Sequence, residues 1–187
     1  MLKKGILKRL VVGIGLFSLL LSPLKAQEKS PPIVDAAFGK TFGVYYPNSI
    51  MKQKTNLQGI VAGIYVSNTK ARIGYFVEFK TKELEMNKPR KVPFVMLKVG
   101  LDYNYFINKM SKIKAYAGLE ASYNEIAYMD ETRHITNGIA ISPKVGVDIP
   151  LIRNKKLKLS LEGKAEMLKL KQYSKMKSVS VVGKVRF

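Results

Sequence analysis

An apolar period of two residues runs almost to the last residue of this 187-residue chain, and it constrains the fold more than any single motif. Val95, Leu97, Val99, Leu101, Tyr103, Tyr105 and Ile107 alternate with Met96, Lys98, Gly100, Asp102, Asn104 and Phe106. The pattern recurs over 113–123, 138–149, 157–167 and 178–187, and earlier over 71–80. Successive side chains of a strand point to opposite faces, so this period reads as β-structure with unlike faces. Two further strands, near 33–46 and 56–67, are less regular. Lys40 falls among Phe38, Phe42 and Val44 on the apolar side, which points to a β-bulge or a different register there. The count is eight strands, and beyond Pro31-Pro32 no stretch sustains a helical period.

The first residues are of another kind. Lys3, Lys4, Lys8 and Arg9 precede an apolar run from Leu10 to Leu21, broken by Ser22-Pro23 and followed by Leu24-Lys25-Ala26. That order of charge, apolar run and small residue is a secretory signal peptide, with cleavage expected after Ala26. A membrane-spanning helix needs about 20 apolar residues, and this run is shorter. The chain divides into a signal peptide at 1–26, a short periplasmic linker at 27–32 and a β domain at 33–187.

Connections and strand lengths decide what kind of β domain. Ser67–Thr69, Asn108–Ser111 and Leu151–Asn154 are hairpin-sized, whereas Pro47–Thr55, Thr81–Lys91, Met129–Arg133 and Lys169–Lys175 are longer and more charged. Alternation of short turns and long loops is expected of an up-and-down barrel that crosses a membrane, where a strand needs about 9–11 residues. A soluble sandwich or lipocalin-like barrel shares the alternation, which does not itself say which face points outward. Strand length, loop alternation and the C-terminus favour the fold class all-β, an eight-stranded antiparallel up-and-down transmembrane β-barrel in the bacterial outer membrane.

That C-terminus ends on Phe187, preceded at every second position by Val185, Gly183, Val181 and Val179. It resembles the terminal strand of bacterial outer-membrane barrels, and the resemblance implies that Phe187 is the assembly signal read by the barrel-assembly machinery. Over about 33–187 the chain resembles the small outer-membrane β-barrel domain family, which includes PorT-like proteins and, in architecture, the OmpA/OmpX-type barrels. A PorT-like resemblance implies secretion-system partners.

Charge and composition narrow the function. The formal charge is +20, and residues 1–26 carry five basic residues and no acid, which leaves +15 after cleavage. Export argues against nucleic acid and for anionic lipid headgroups as the partner of this surplus. The loop cations Lys52, Lys54, Lys82, Lys88, Arg90, Lys91, Lys169, Lys171, Lys175 and Lys177 would stand at the height of lipid phosphates. With no cysteine and one histidine, thiolate chemistry is excluded and no cofactor or metal site is expected. His134 sits near Asp130, Glu131 and Arg133 in what reads as a solvated loop, without a nucleophile elbow, so no enzyme is expected.

The polar faces carry the candidate site, a lumen charge network of Arg72, Glu78, Lys98, Asp102, Glu120, Lys144, Asp148, Glu162, Lys164 and Lys184, with Glu166 and Arg186 on the same faces. Eight strands enclose a space just wide enough for side chains, so these charges would pair as a plug. A narrow small-solute channel is the sharper alternative. Tyr103 and Tyr105 at one end, and Tyr45, Tyr46, Tyr123 and Tyr128 at the other, read as interfacial girdles. The expected role is a non-catalytic integral outer-membrane barrel with a structural or surface-interaction function.

Overall fold

The computed structural model describes residues 32–48, 50–51, 53–85, 91–108, 112–129, 133–151, 157–171 and 175–187. The expected signal peptide and most of the expected linker, with Lys52, Lys88, Arg90, Asp130 and Glu131, lie outside the described residues. Eight strands follow one another: β1 (Ile33–Tyr45), β2 (Thr55–Ser67), β3 (Ala71–Glu85), β4 (Lys91–Phe106), β5 (Lys114–Met129), β6 (Arg133–Pro150), β7 (Lys158–Leu170) and β8 (Met176–Arg186). Each pairs with its neighbours in sequence, and β8 returns antiparallel to β1, closing an up-and-down barrel. Closure leaves no open sheet edge. The main chain of Phe187 completes the seam, exchanging hydrogen bonds of 3.0 Å with Ala36 in both directions.

The faces sort in one sense around the wall. Phe38, Phe42, Ile60, Ile64, Val77, Leu97, Ile139 and Val181 point outward and are exposed, whereas residues next to them such as Thr41, Val61, Phe76, Lys98, Ala140 and Val182 are buried inside. An apolar belt of this extent is far more than a soluble monomer normally shows to water, and it suits a hydrocarbon surround.

Two expectations change. Lys40 does stand on the outward face, between Phe38 and Phe42, but there is no bulge: the ladder runs unbroken from Ala37↔Arg186 to Tyr45↔Ser178. Its partner is Gly183, which leaves the lysine stem room along the wall. The long-loop alternation is also altered. At the barrel end where β1 begins and β8 ends, the strands are joined in sequence through 68–70, 107–113 and 151–157, and at the far end through 46–54, 86–90, 130–132 and 171–175. Polarity at 81–91 and 129–133 is not a loop signal here, because the strands pair on past the belt, as far as Glu85↔Lys91 and Met129↔Arg133. At this end several outward positions turn polar, as at Gln58, Thr81 and Lys169, while inward ones turn from charged to apolar, as at Leu57, Phe94, Ile126 and Leu168. Lys82, Lys169, Lys177 and His134 accordingly belong to strands.

A lysine facing hydrocarbon costs up to about 2–4 kcal/mol at the bilayer midplane and less toward an interface. Lys40→Leu is therefore expected to stabilise the barrel by about 2 kcal/mol, read from urea unfolding in lipid vesicles. An unchanged or lowered stability would mean that Lys40 has a partner of its own.

Candidate functional site

Tight turns and size-matched pairs set the interior. Asn68 Oδ1 accepts the main-chain N–H groups of Lys70 and Ala71, turning β2 into β3. Large rings then lie across glycines: Tyr65 pairs with Gly74 and Tyr116 with Gly146. A Cβ at Gly74 would stand 2.1 Å from the Tyr65 ring, and one at Gly146 2.6 Å from that of Tyr116. The absent side chains make room for the rings to cross a narrow lumen.

The barrel end where β1 begins and β8 ends holds the arginines. Asp148 accepts from Arg72 at 2.6 Å and from Arg186 at 2.9 Å, and Arg186 reaches Asp35 at 2.7 Å. The Arg72 guanidinium lies 4.5 Å from the centre of the Tyr116 ring. Next inward, Glu162 gathers Lys184 at 2.9 Å, Lys144 at 3.2 Å and the Tyr116 hydroxyl at 2.9 Å, while Asp102 pairs with Lys144 at 2.6 Å. Higher still, Glu78 holds Lys80 at 3.0 Å and Lys164 at 3.1 Å, Glu120 holds Lys98 at 2.6 Å and Lys164 at 3.2 Å, and Lys98 also pairs with Glu166. Lys80 donates to the Tyr45 hydroxyl at 2.9 Å.

The far end is apolar inside. Tyr45, Leu57, Val92, Phe94, Met96, Ile126, Tyr128, Leu168, Leu170 and Met176 form one buried cluster, joined by Ile50 and Met51 from the first connection. Asn48 Oδ1 accepts the N–H groups of both Ile50 and Met51 and so turns that segment into the barrel mouth. The interior is thus layered: an arginine–aromatic base, two ion-paired layers and an apolar cap.

All ten charged residues singled out from the sequence, with Glu166 and Arg186, lie in this interior, buried to 5% exposure or less. Sequence reasoning left out Asp35 and Lys80. Asp35 belongs to the strand whose register was open, and Lys80 shared the polar face with Glu78 but stood close to the supposed loop. With these two, the buried charges among the described residues balance: Arg72, Lys80, Lys98, Lys144, Lys164, Lys184 and Arg186 against Asp35, Glu78, Asp102, Glu120, Asp148, Glu162 and Glu166.

The tyrosines divide. Tyr46, Tyr103 and Tyr105 are exposed on the outer wall, but Tyr45 and Tyr128 are buried in the apolar cap and are no part of a girdle. Tyr128 stacks on the half-buried His134, with ring centroids 4.9 Å apart, so this histidine is a strand residue in ring contact and not a solvated loop residue.

No protein-family model matches the chain, and no curated protein matches it. Solved structures do. Neisserial surface protein A (NspA) is 12% identical, with a TM-score of 0.69 over 84% of this chain and 98% of that one. Ail, the attachment invasion locus protein of Yersinia pestis, is 13% identical, with a TM-score of 0.54 over 82% and 97%. The outer membrane protein OprG from Pseudomonas aeruginosa is 11% identical, with a TM-score of 0.51 over 83% and 97%. At such identities the likeness is one of fold: the chain is built as a small outer-membrane β-barrel.

Breaking a buried pair strands the remaining charge, which costs about 3–5 kcal/mol. Glu162→Gln and Glu120→Gln are each expected to destabilise the folded barrel by about that amount in denaturant titrations. Glu125→Gln, on the outer side of β5, should change stability by no more than about 0.5 kcal/mol. Losses of only about 0–1 kcal/mol at Glu120 and Glu162 would be those of hydrated, exposed pairs and would contradict a dry interior.

Proposed function

We propose that the chain is an exported, non-catalytic integral barrel of the bacterial outer membrane, closed to solutes, whose work is done at its surface. The observation that carries this reading is the balanced, layered lumen: among the described residues, seven buried cations against seven buried anions, capped by an apolar cluster. A conducting pore needs a hydrated path, and side chains that bond one another across the barrel leave little space for one. The outward apolar belt supports membrane residence, and the signal-peptide pattern supports export with cleavage after Ala26.

The biogenesis and partner readings belong to this proposal. Phe187, 63% exposed at the end of β8, is available to the barrel-assembly machinery. Anionic lipid headgroups are the natural counterpart of the rim cations. A place beside a protein-secretion system rests on the PorT-like resemblance alone, and the filled lumen speaks against a small-solute channel. Against an enzymatic reading, the lone histidine is engaged with Tyr128.

Purified protein reconstituted in planar bilayers should give no steady conductance, while the cellular protein sediments with outer membranes and shifts its gel mobility on heating. Steady ion-conducting pores would put the channel reading first. Recovery as a soluble periplasmic monomer would end the membrane reading altogether.

A further inference from the structure

The outer wall is concave at one place near the far rim. A groove of about 1070 Å³ crosses β8, β1, β2 and β3 on the outside of the barrel, away from the charged lumen. Its lower part is apolar, walled by Phe42 and Val44 of β1 and Val179 and Val181 of β8. Its upper part is polar, with Asn56 and Gln58 of β2, Thr81 of β3 and the exposed Lys54 just before β2.

The change of character is in step on all four strands. Going outward along the wall, Val44 gives way to Tyr46, Ile60 to Gln58, Phe79 to Thr81 and Val179 to Lys177. The groove straddles that boundary, which is where a bilayer passes from hydrocarbon to headgroup. Lys54 Nζ lies 6.0 Å from the centre of the Tyr46 ring, at the upper lip. Lys82 and Glu83 also line the polar part, so its charge is mixed but cationic in sum.

We propose that this groove is a binding site for a single anionic, phosphate-bearing lipid of the far leaflet. One acyl chain lies against Phe42, Val44, Val179 and Val181, and the phosphate takes hydrogen bonds from Lys54 and the amide groups of Asn56 and Gln58. A cation with amide donors at the end of an apolar channel matches an anionic head on an apolar tail, whereas a soluble anion would have no use for the apolar half. Water-soluble polyanions and bulk, unselected lipid are the competing occupants. The proposal rests on the membrane reading above, and the test separates the two.

The chain has no tryptophan, so Tyr46→Trp places one fluorophore at the lip of the groove. The full chain is folded into phosphatidylcholine vesicles that contain either brominated phosphatidylglycerol or brominated phosphatidylcholine. The anionic brominated lipid is expected to quench at a several-fold lower mole fraction. Lys54→Glu should bring the two quenching curves together, whereas Lys70→Glu, at the other end of the barrel, should leave them apart. Coincident curves in the Lys54 protein, or a preference that survives Lys54→Glu, would overturn the site while keeping the barrel in the membrane. Quenching by neither lipid would show that this wall does not face a bilayer and would overturn both readings. Loss of the preference on adding inositol hexakisphosphate would give the groove to a soluble polyanion instead.

Discussion

Charge balance in a narrow, water-poor lumen is the constraint on which the rest of this structure depends. Eight strands leave an interior that side chains must fill. Any ion placed there has to be met by an opposite ion at short range, cations by hydrogen-bond acceptors and carboxylates by donors. Glu162 illustrates the rule, with Lys144, Lys184 and the Tyr116 hydroxyl all within 3.2 Å. Such clusters tie together strands that are not neighbours: Lys164 of β7 reaches Glu78 of β3 and Glu120 of β5 across the barrel. Main-chain ladders fix each strand to the next, and the ion pairs fix the far walls to one another.

That balance also places the surplus charge. Among the described residues, seven buried anions stand in the lumen against seven buried cations. This set therefore adds nothing to the chain's formal charge of +20. Exposed cations such as Lys54, Lys82, Lys169 and Lys177 stand toward the far rim, as the proposed contact with anionic lipid requires. The apolar cap completes the division, since Ile50 and Met51 fold into the far mouth and shield the upper ion pairs from water.

Much of this was legible in the sequence, because a period of two with one charged and one apolar face is itself the barrel wall. The eight strands and the inward charges of β3 to β8 follow from it, apart from Lys80, which stood close to the supposed loop. The extent of the strands at the far end does not. Above a bilayer the outward positions of a strand turn polar, so Thr81 and Lys82 look like the start of a loop although their ladder continues to Glu85↔Lys91. Tyr45 was misplaced for a related reason: a tyrosine near a strand end suits either an interfacial girdle or a capped lumen, and only register decides between them. Lys40 looked like a break in pattern because a lysine toward lipid is costly. The ladder through Gly183 shows that the barrel tolerates that cost.

The central claim is that the lumen is dry and filled, and solvent access to a buried inward position tests it most directly. The chain contains no cysteine, so Ser122→Cys, on the inward face of β5 at 5% exposure, would be the sole thiol. In the folded barrel in vesicles this thiol should resist a membrane-impermeant maleimide from either side and react only after unfolding, while Lys70→Cys in the exposed β2–β3 turn reacts freely. Labelling of Ser122→Cys in the folded barrel at the rate of Lys70→Cys would mean a water-filled lumen, and the account of an ion-paired plug would be wrong.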